Sequence, residues 1–155
     1  ADRGPIADRG SGERRLNPMN IAIIYESSTG TTAKAAEAMG QALTALGHQC
    51  RVQSVSRANP GEVAQADLIC IGGWVKGMFI VGQHPSEGSL RFIDRLGDLA
   101  GKQAVVFCTY KIAPGSTLRQ LAQAMQQHGA VVMGQFHYRG PVPDAKFSQF
   151  ATALQ

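Results

Sequence analysis

The 155-residue sequence has no apolar run approaching the roughly 20 residues of a membrane-crossing helix, and no charged start leading into an apolar segment and a cleavage site. A soluble protein without a membrane span is expected. Cysteine is scarce: Cys50, Cys70 and Cys108 are three, an odd number, each in an apolar or strand-like stretch. They read as small core residues of a chain kept in a reducing cytoplasm. With no CxxC pair and no Cys/His ligand spacing, a metal site is not expected. Fifteen Lys and Arg against eleven Asp and Glu leave a net charge of +4. Those cations are scattered rather than gathered on one stripe, which argues against nucleic-acid binding. Aromatics make up only 6% of the chain, and Trp74 is its single tryptophan.

Catalytic and nucleotide signatures are missing as well. There is no GxxxxGK[ST], so no lysine is placed for a nucleotide's outer phosphates, and no GxGxxG, so no dinucleotide fingerprint. No GxSxG elbow supports a serine hydrolase. No catalytic residue is assigned.

What is present describes one globular domain: 44% hydrophobic and 17% charged residues, with 18 glycines implying many tight turns. Such a length suffices to bury on the order of 70% of the unfolded surface. Residues 1–18, ADRGPIADRGSGERRLNP, repeat ADRG and have a disordered-tail composition. The segment reads as an extension without a role or as a docking or targeting segment. The folded domain is expected over 19–155, from Met19 onward.

Beyond Met19 two periodicities alternate. Asn20 to Tyr25 is a nearly continuous apolar run, as in a strand covered on both faces. Ala36, Met39, Leu43 and Leu46 then recur at helical spacing, with Gly47 placed to end the helix in a left-handed cap. Cys50 to Val55 reads as a strand. Asn59-Pro60-Gly61-Glu62 starts a short helix, with Asn as cap and Glu reaching back. Asp67 to Gly72 is a third strand, followed by a long glycine-containing loop and a helix at about Leu90 to Leu96. Gln103 to Thr109 and Ala130 to Tyr138 are further strands; Thr117 to His128 and Asp144 to Leu154 are helices, the last with Phe147, Phe150, Ala151 and Leu154 on one face. Five strands alternating with five helices argue for a parallel α/β sheet covered on both sides. Ligands bind such sheets at the carboxyl ends of the strands, which directs attention to the loops after the first, third and fourth.

The first of these loops is Ser27-Ser28-Thr29-Gly30-Thr31-Thr32, set between a buried strand and a helix. Helix amino ends leave N–H groups unpaired beside a partial positive charge, Gly30 permits close approach, and Ser27, Thr29 and Thr32 offer hydroxyls. The combination suits a phosphate; a hydroxyl-rich helix cap is the plainer alternative. The run resembles the Ser/Thr-x-Thr-Gly-x-Thr phosphate loop of flavodoxins, likewise placed directly after the first strand. Thr31 departs from the asparagine usual in that family.

The resemblance covers about Asn20 to Leu154 and implies a flavodoxin-like three-layer sandwich, its five-stranded parallel sheet in the order 2-1-3-4-5, with noncovalent FMN as cofactor. It implies ring contacts from the loops after the third and fourth strands: Gly72, Gly73, Trp74 and Val75, and Cys108, Thr109, Tyr110 and Lys111. Trp74 stands where the family's inner stacking tryptophan occurs; an interface or core tryptophan is the alternative. Tyr110 takes the outer ring face or packs sideways, because the family's Gly-Asp element is missing here. Lys76 and Lys111, with His84 nearby in sequence, would favour the reduced anionic flavin if they face it, and would make its potential less negative than an acidic flavodoxin's. Met78 to Val81 reads as a flavin cover, a subunit contact, an entry for a quinone, or core.

The function so implied is electron transfer between redox partner proteins. An FMN-dependent NAD(P)H or quinone oxidoreductase, and a binding module without redox turnover, remain as alternatives. His48 and His128, beside helix-ending glycines, are expected to satisfy the last helix carbonyls, and His137 to lie in a strand.

Overall fold

A strand sandwiched between two helix layers must present apolar residues on both faces, and that is how these strands are built. The computed structural model describes residues 18–27, 29–76, 84–85, 87–110 and 116–154. Its elements are β1 (Asn20–Tyr25), α1 (Thr31–Ala45), β2 (Gln49–Ser54), α2 (Pro60–Val63), β3 (Leu68–Lys76), β4 (His84–Pro85), α3 (Glu87–Asp94), β5 (Gln103–Thr109), α4 (Thr117–Gln127), β6 (Val131–Tyr138) and α5 (Ala145–Ala153). Five strands run parallel in the order β2-β1-β3-β5-β6, and β4 pairs antiparallel with the end of β3. Counting the parallel strands alone, this is the expected 2-1-3-4-5 order. The sheet grows outward in both directions from β1 and β3, which makes their carboxyl ends the topological switch point.

Alternate residues of each strand feed opposite cores. Ile21 and Ile23, Leu68 and Cys70, and Val105 and Phe107 pack with Ala36, Met39 and Leu43 of α1 and with Phe147 and Ala151 of α5. Ala22 and Ile24, Ile69 and Ile71, and Ala104 and Val106 pack with Phe92 and Ile93 of α3 and with Leu121 and Met125 of α4. Each fully buried side chain of this size contributes about 1.5–3 kcal/mol, so both layers are needed to offset chain entropy. An aromatic trio closes the α5 side, Phe136 meeting Phe147 edge-on at 5.5 Å and Phe150 also at 5.5 Å.

The helix stops follow backbone chemistry. Gly47 takes φ 101°, its N–H donating to the carbonyl of Thr44 while that of His48 donates to Leu43. Gly129, at φ 97°, ends α4 in the same way through Gln126 and Met125. Both are Schellman closures, which a left-handed glycine makes available.

Several local expectations need correction. Leu46 is exposed, because it is already the cap residue of α1 and has left the helix face. Asn59 caps α2 through Glu62 N–H, but the Glu62 carboxylate pairs with Arg51 of β2 at 3.1 Å instead of reaching back. The third helix starts earlier, at Glu87. His48 does not serve α1's carbonyls: its Nδ1 accepts the N–H of Met19 at 3.0 Å. His128 lies 2.7 Å from a carbonyl, but that of Gly97, after α3. The third strand does not stop at Gly72; it runs on to Lys76, because β5 and β4 continue to supply ladder partners.

Candidate functional site

The loop from β1 to α1 turns on Gly30. Its φ of 93° lies in the left-handed region, and a Cβ there would meet nothing within 4 Å, so backbone conformation and not crowding favours glycine. The turn is held from inside, Gly30 N–H donating to Ser27 Oγ at 3.0 Å. Gly30 is also the N-cap of α1, with no side-chain cap bond. The first bond of the helix runs from Lys34 N–H to the Gly30 carbonyl, so the amides of Thr31, Thr32 and Ala33 have no carbonyl within it. Thr29 and Thr31 set their hydroxyls 3.4 Å apart at the rim. Amides at the positive end of a 15-residue helix, flanked by hydroxyls and open space, suit a phosphate dianion. Ser28 lies outside the described residues.

Thr32 departs from the simple picture. Its side chain is buried, and its Oγ1 lies 2.6 Å from Thr109 Oγ1 at the end of β5. What Thr32 offers an anion at the helix start is therefore its amide, while its hydroxyl ties the start of α1 to the end of β5. Trp74 is in register with Thr109 on β3, so the half-buried indole sits one strand away from that bridge. Tyr138 of β6 pairs with Thr109 on the other side. Its buried hydroxyl has no partner among the described residues, and burial, reinforced by Asp144, pushes its pKa well up.

The remaining ring-loop residues divide into side chains and backbone. Gly72 and Gly73 are buried, and a Cβ on Gly72 would come within 2.5 Å of the Phe107 ring, so that position takes no side chain without moving the ring. Cys108 is fully buried, its thiol is pushed up to about 12 by that burial, and its backbone lies in the ladder between Gly73 of β3 and His137 of β6. Tyr110 N–H donates to the Tyr138 carbonyl at 3.1 Å, and its ring lies 5.6 Å from that of His137 at 56°. The sequence left His137 in an unspecified strand role; its neighbour appears only once β6 is laid beside β5. Val75 and Lys76 extend β3 in backbone pairing with Pro85 and His84. Lys111 and the segment Met78 to Val81 lie outside the described residues.

The flavodoxin domain family matches residues 22–151 of this sequence. The chain belongs to the flavodoxin family. Flavodoxins are FMN-binding electron-transfer proteins, and the cradle at the start of α1 in this family member fits the phosphate of that cofactor. A flavodoxin of Clostridium beijerinckii is 27% identical over 114 residues, 73% of this chain and 80% of that protein. The two-electron reduced flavodoxin of Megasphaera elsdenii superposes with a TM-score of 0.73 at 23% identity, over 86% of this chain and 99% of that one. Flavodoxin 2 of Bacillus cereus gives a TM-score of 0.68 at 25% identity, covering 86% and 96% of the two chains. In this flavodoxin-family chain no helix among the described residues is long and apolar enough to cross a membrane.

One carboxylate in the same region carries no sequence signature. Glu26, the first residue after β1, donates its N–H to the Gly72 carbonyl at 3.1 Å and accepts the Ser89 N–H on Oε1 at 3.2 Å. Only the loop's place after β1 could have drawn attention to it.

Proposed function

We propose that this flavodoxin-family chain works in the cytoplasm as a one-FMN electron carrier, folded from Met19 onward, that exchanges electrons with separate reductase and acceptor proteins. The phosphate sits on the amides of Thr31, Thr32 and Ala33 with the hydroxyls of Thr29 and Thr31, and the ring lies against Trp74 between Gly72 to Val75 of β3 and Cys108 to Tyr110 at the end of β5. FMN supplies the redox chemistry when bound; the chain supplies grip, orientation and exclusion of water. The observation that carries the reading is the start of α1, where a left-handed Gly30 takes the first helix bond from Lys34 and the amides of Thr31, Thr32 and Ala33 have no carbonyl within the helix. An indole beside a planar ring gives offset stacking at small entropic cost.

Purified protein is expected to be yellow and to release one FMN per chain on denaturation. Thr29→Ala with Thr31→Ala should weaken FMN uptake by the apo-protein about tenfold or more while leaving riboflavin affinity nearly unchanged. Failure of folded apo-protein to take up FMN refutes the reading. Adding NADPH and a quinone separates carrier from enzyme: steady turnover by this chain alone makes it an oxidoreductase, and dependence on an added reductase makes it a carrier.

A further inference from the structure

Gly72 is a hub between two loops of the flavin site. On β3 it pairs with Tyr25 of β1 and Phe107 of β5, two residues before Trp74. Its carbonyl accepts twice, from Glu26 N–H at 3.1 Å and from Ser89 Oγ at 2.8 Å. Ser89 is buried in the first turn of α3, and its N–H returns to the Glu26 carboxylate. Glu26, Gly72 and Ser89 thus close a ring of three hydrogen bonds. Gly88 is fitted to the same ring: a Cβ there would lie 2.6 Å from Glu26 Oε2. The carboxylate also stands at the positive end of α3, where an anion is favoured. Along the chain Glu26 directly precedes Ser27, whose hydroxyl shapes the turn at Gly30.

From this we infer that Glu26 is a positioning residue: through Ser89 and Gly72 it fixes the end of β3 that carries Trp74 relative to the phosphate loop that begins at Ser27. The inference rests on the FMN reading. FMN engages both places at once, and its affinity over riboflavin depends on their holding the right separation, since a second contact gains only when the geometry allows both. A residue that merely capped α3 would change stability and leave that ratio alone.

The test uses full-length apo-protein of wild type, Glu26→Ala, Glu26→Gln and Gly88→Ala, titrated with FMN and with riboflavin, with urea unfolding alongside. Glu26→Ala should lower FMN affinity about tenfold and riboflavin affinity less than about threefold. Gly88→Ala, which pushes the carboxylate aside, should reproduce that pattern even if Glu26→Ala folds poorly. Glu26→Gln keeps an oxygen for the Ser89 amide and should stay within about threefold of wild type for FMN. Wild-type FMN uptake with an unchanged FMN-to-riboflavin ratio in both Glu26→Ala and Gly88→Ala overturns the inference alone. Absence of FMN uptake by the wild type overturns the functional reading and this inference with it.

Discussion

Thr32 and Thr109 stand 77 residues apart in the chain, yet their hydroxyl oxygens lie 2.6 Å apart in a buried seam between the start of α1 and the end of β5. The start of α1 and the end of β5 are therefore joined by a direct bond in the protein itself. Because both side chains are buried, neither hydroxyl has water as an alternative partner.

Removing either partner should accordingly strand the other, so the two losses overlap. Thr32→Val and Thr109→Val are each expected to destabilise the apo-protein by about 1–3 kcal/mol, through a stranded hydroxyl. The double variant should lose clearly less than the sum, and urea unfolding of the four-protein cycle measures the difference. Strict additivity would show that the two oxygens do not depend on each other.

At Gly30 the penalty comes from φ and not from space. Gly30→Ala should cost about 1–2 kcal/mol and weaken FMN binding, because an L-residue resists the left-handed conformation. Gly30→Asn should lose less, since asparagine enters that region more easily. Equal losses for the two variants, read by urea unfolding and FMN titration, would point to crowding instead.

His48 links pH to stability. Its Nδ1 accepts the Met19 N–H and its ring is buried, so burial lowers its pKa below the ordinary 6.5 and the neutral ring belongs to the fold. The unfolded chain then binds the proton more readily; stability is full above 6.5 and falls as pH drops toward the folded value. Unfolding free energies measured between about pH 5 and 7 should slope accordingly, and His48→Gln, which keeps an acceptor but cannot titrate, should flatten the slope. An unaltered slope in that variant would assign the effect to other groups.

The thiols should differ in reactivity. Burial raises all three, but Cys70 and Cys108 are fully enclosed while Cys50 is half-exposed. A thiol-specific reagent at about pH 8 should therefore modify one site, Cys50, on the native protein and three in urea. Modification of Cys108 at the rate of Cys50 would mean that the end of β5 opens readily.

Much of the architecture was legible from periodicity. Continuous apolar runs such as Ile21 to Ile24 mark strands covered on both faces, and the Ala36, Met39, Leu43 spacing marks the buried stripe of α1. Element ends were less legible. Leu46 continues the helical spacing yet is exposed, because a cap residue no longer follows the helix rotation. Gly72 and Gly73 looked like the end of β3, and only the facing Phe107, which fills the place of a side chain at Gly72, shows why glycine serves inside a strand.

By itself the sequence determined the alternation of strands and helices, the small hydroxyl-rich turn at the head of α1, and through these the flavodoxin likeness, since each depends on residues close together in the chain. Tertiary structure alone decided that Thr32 turns its hydroxyl to Thr109, that Tyr110 rests beside His137, and that Glu26 reaches Ser89. Those contacts join residues brought near only by strand order and register, and no local pattern encodes a distance between elements that the chain visits far apart.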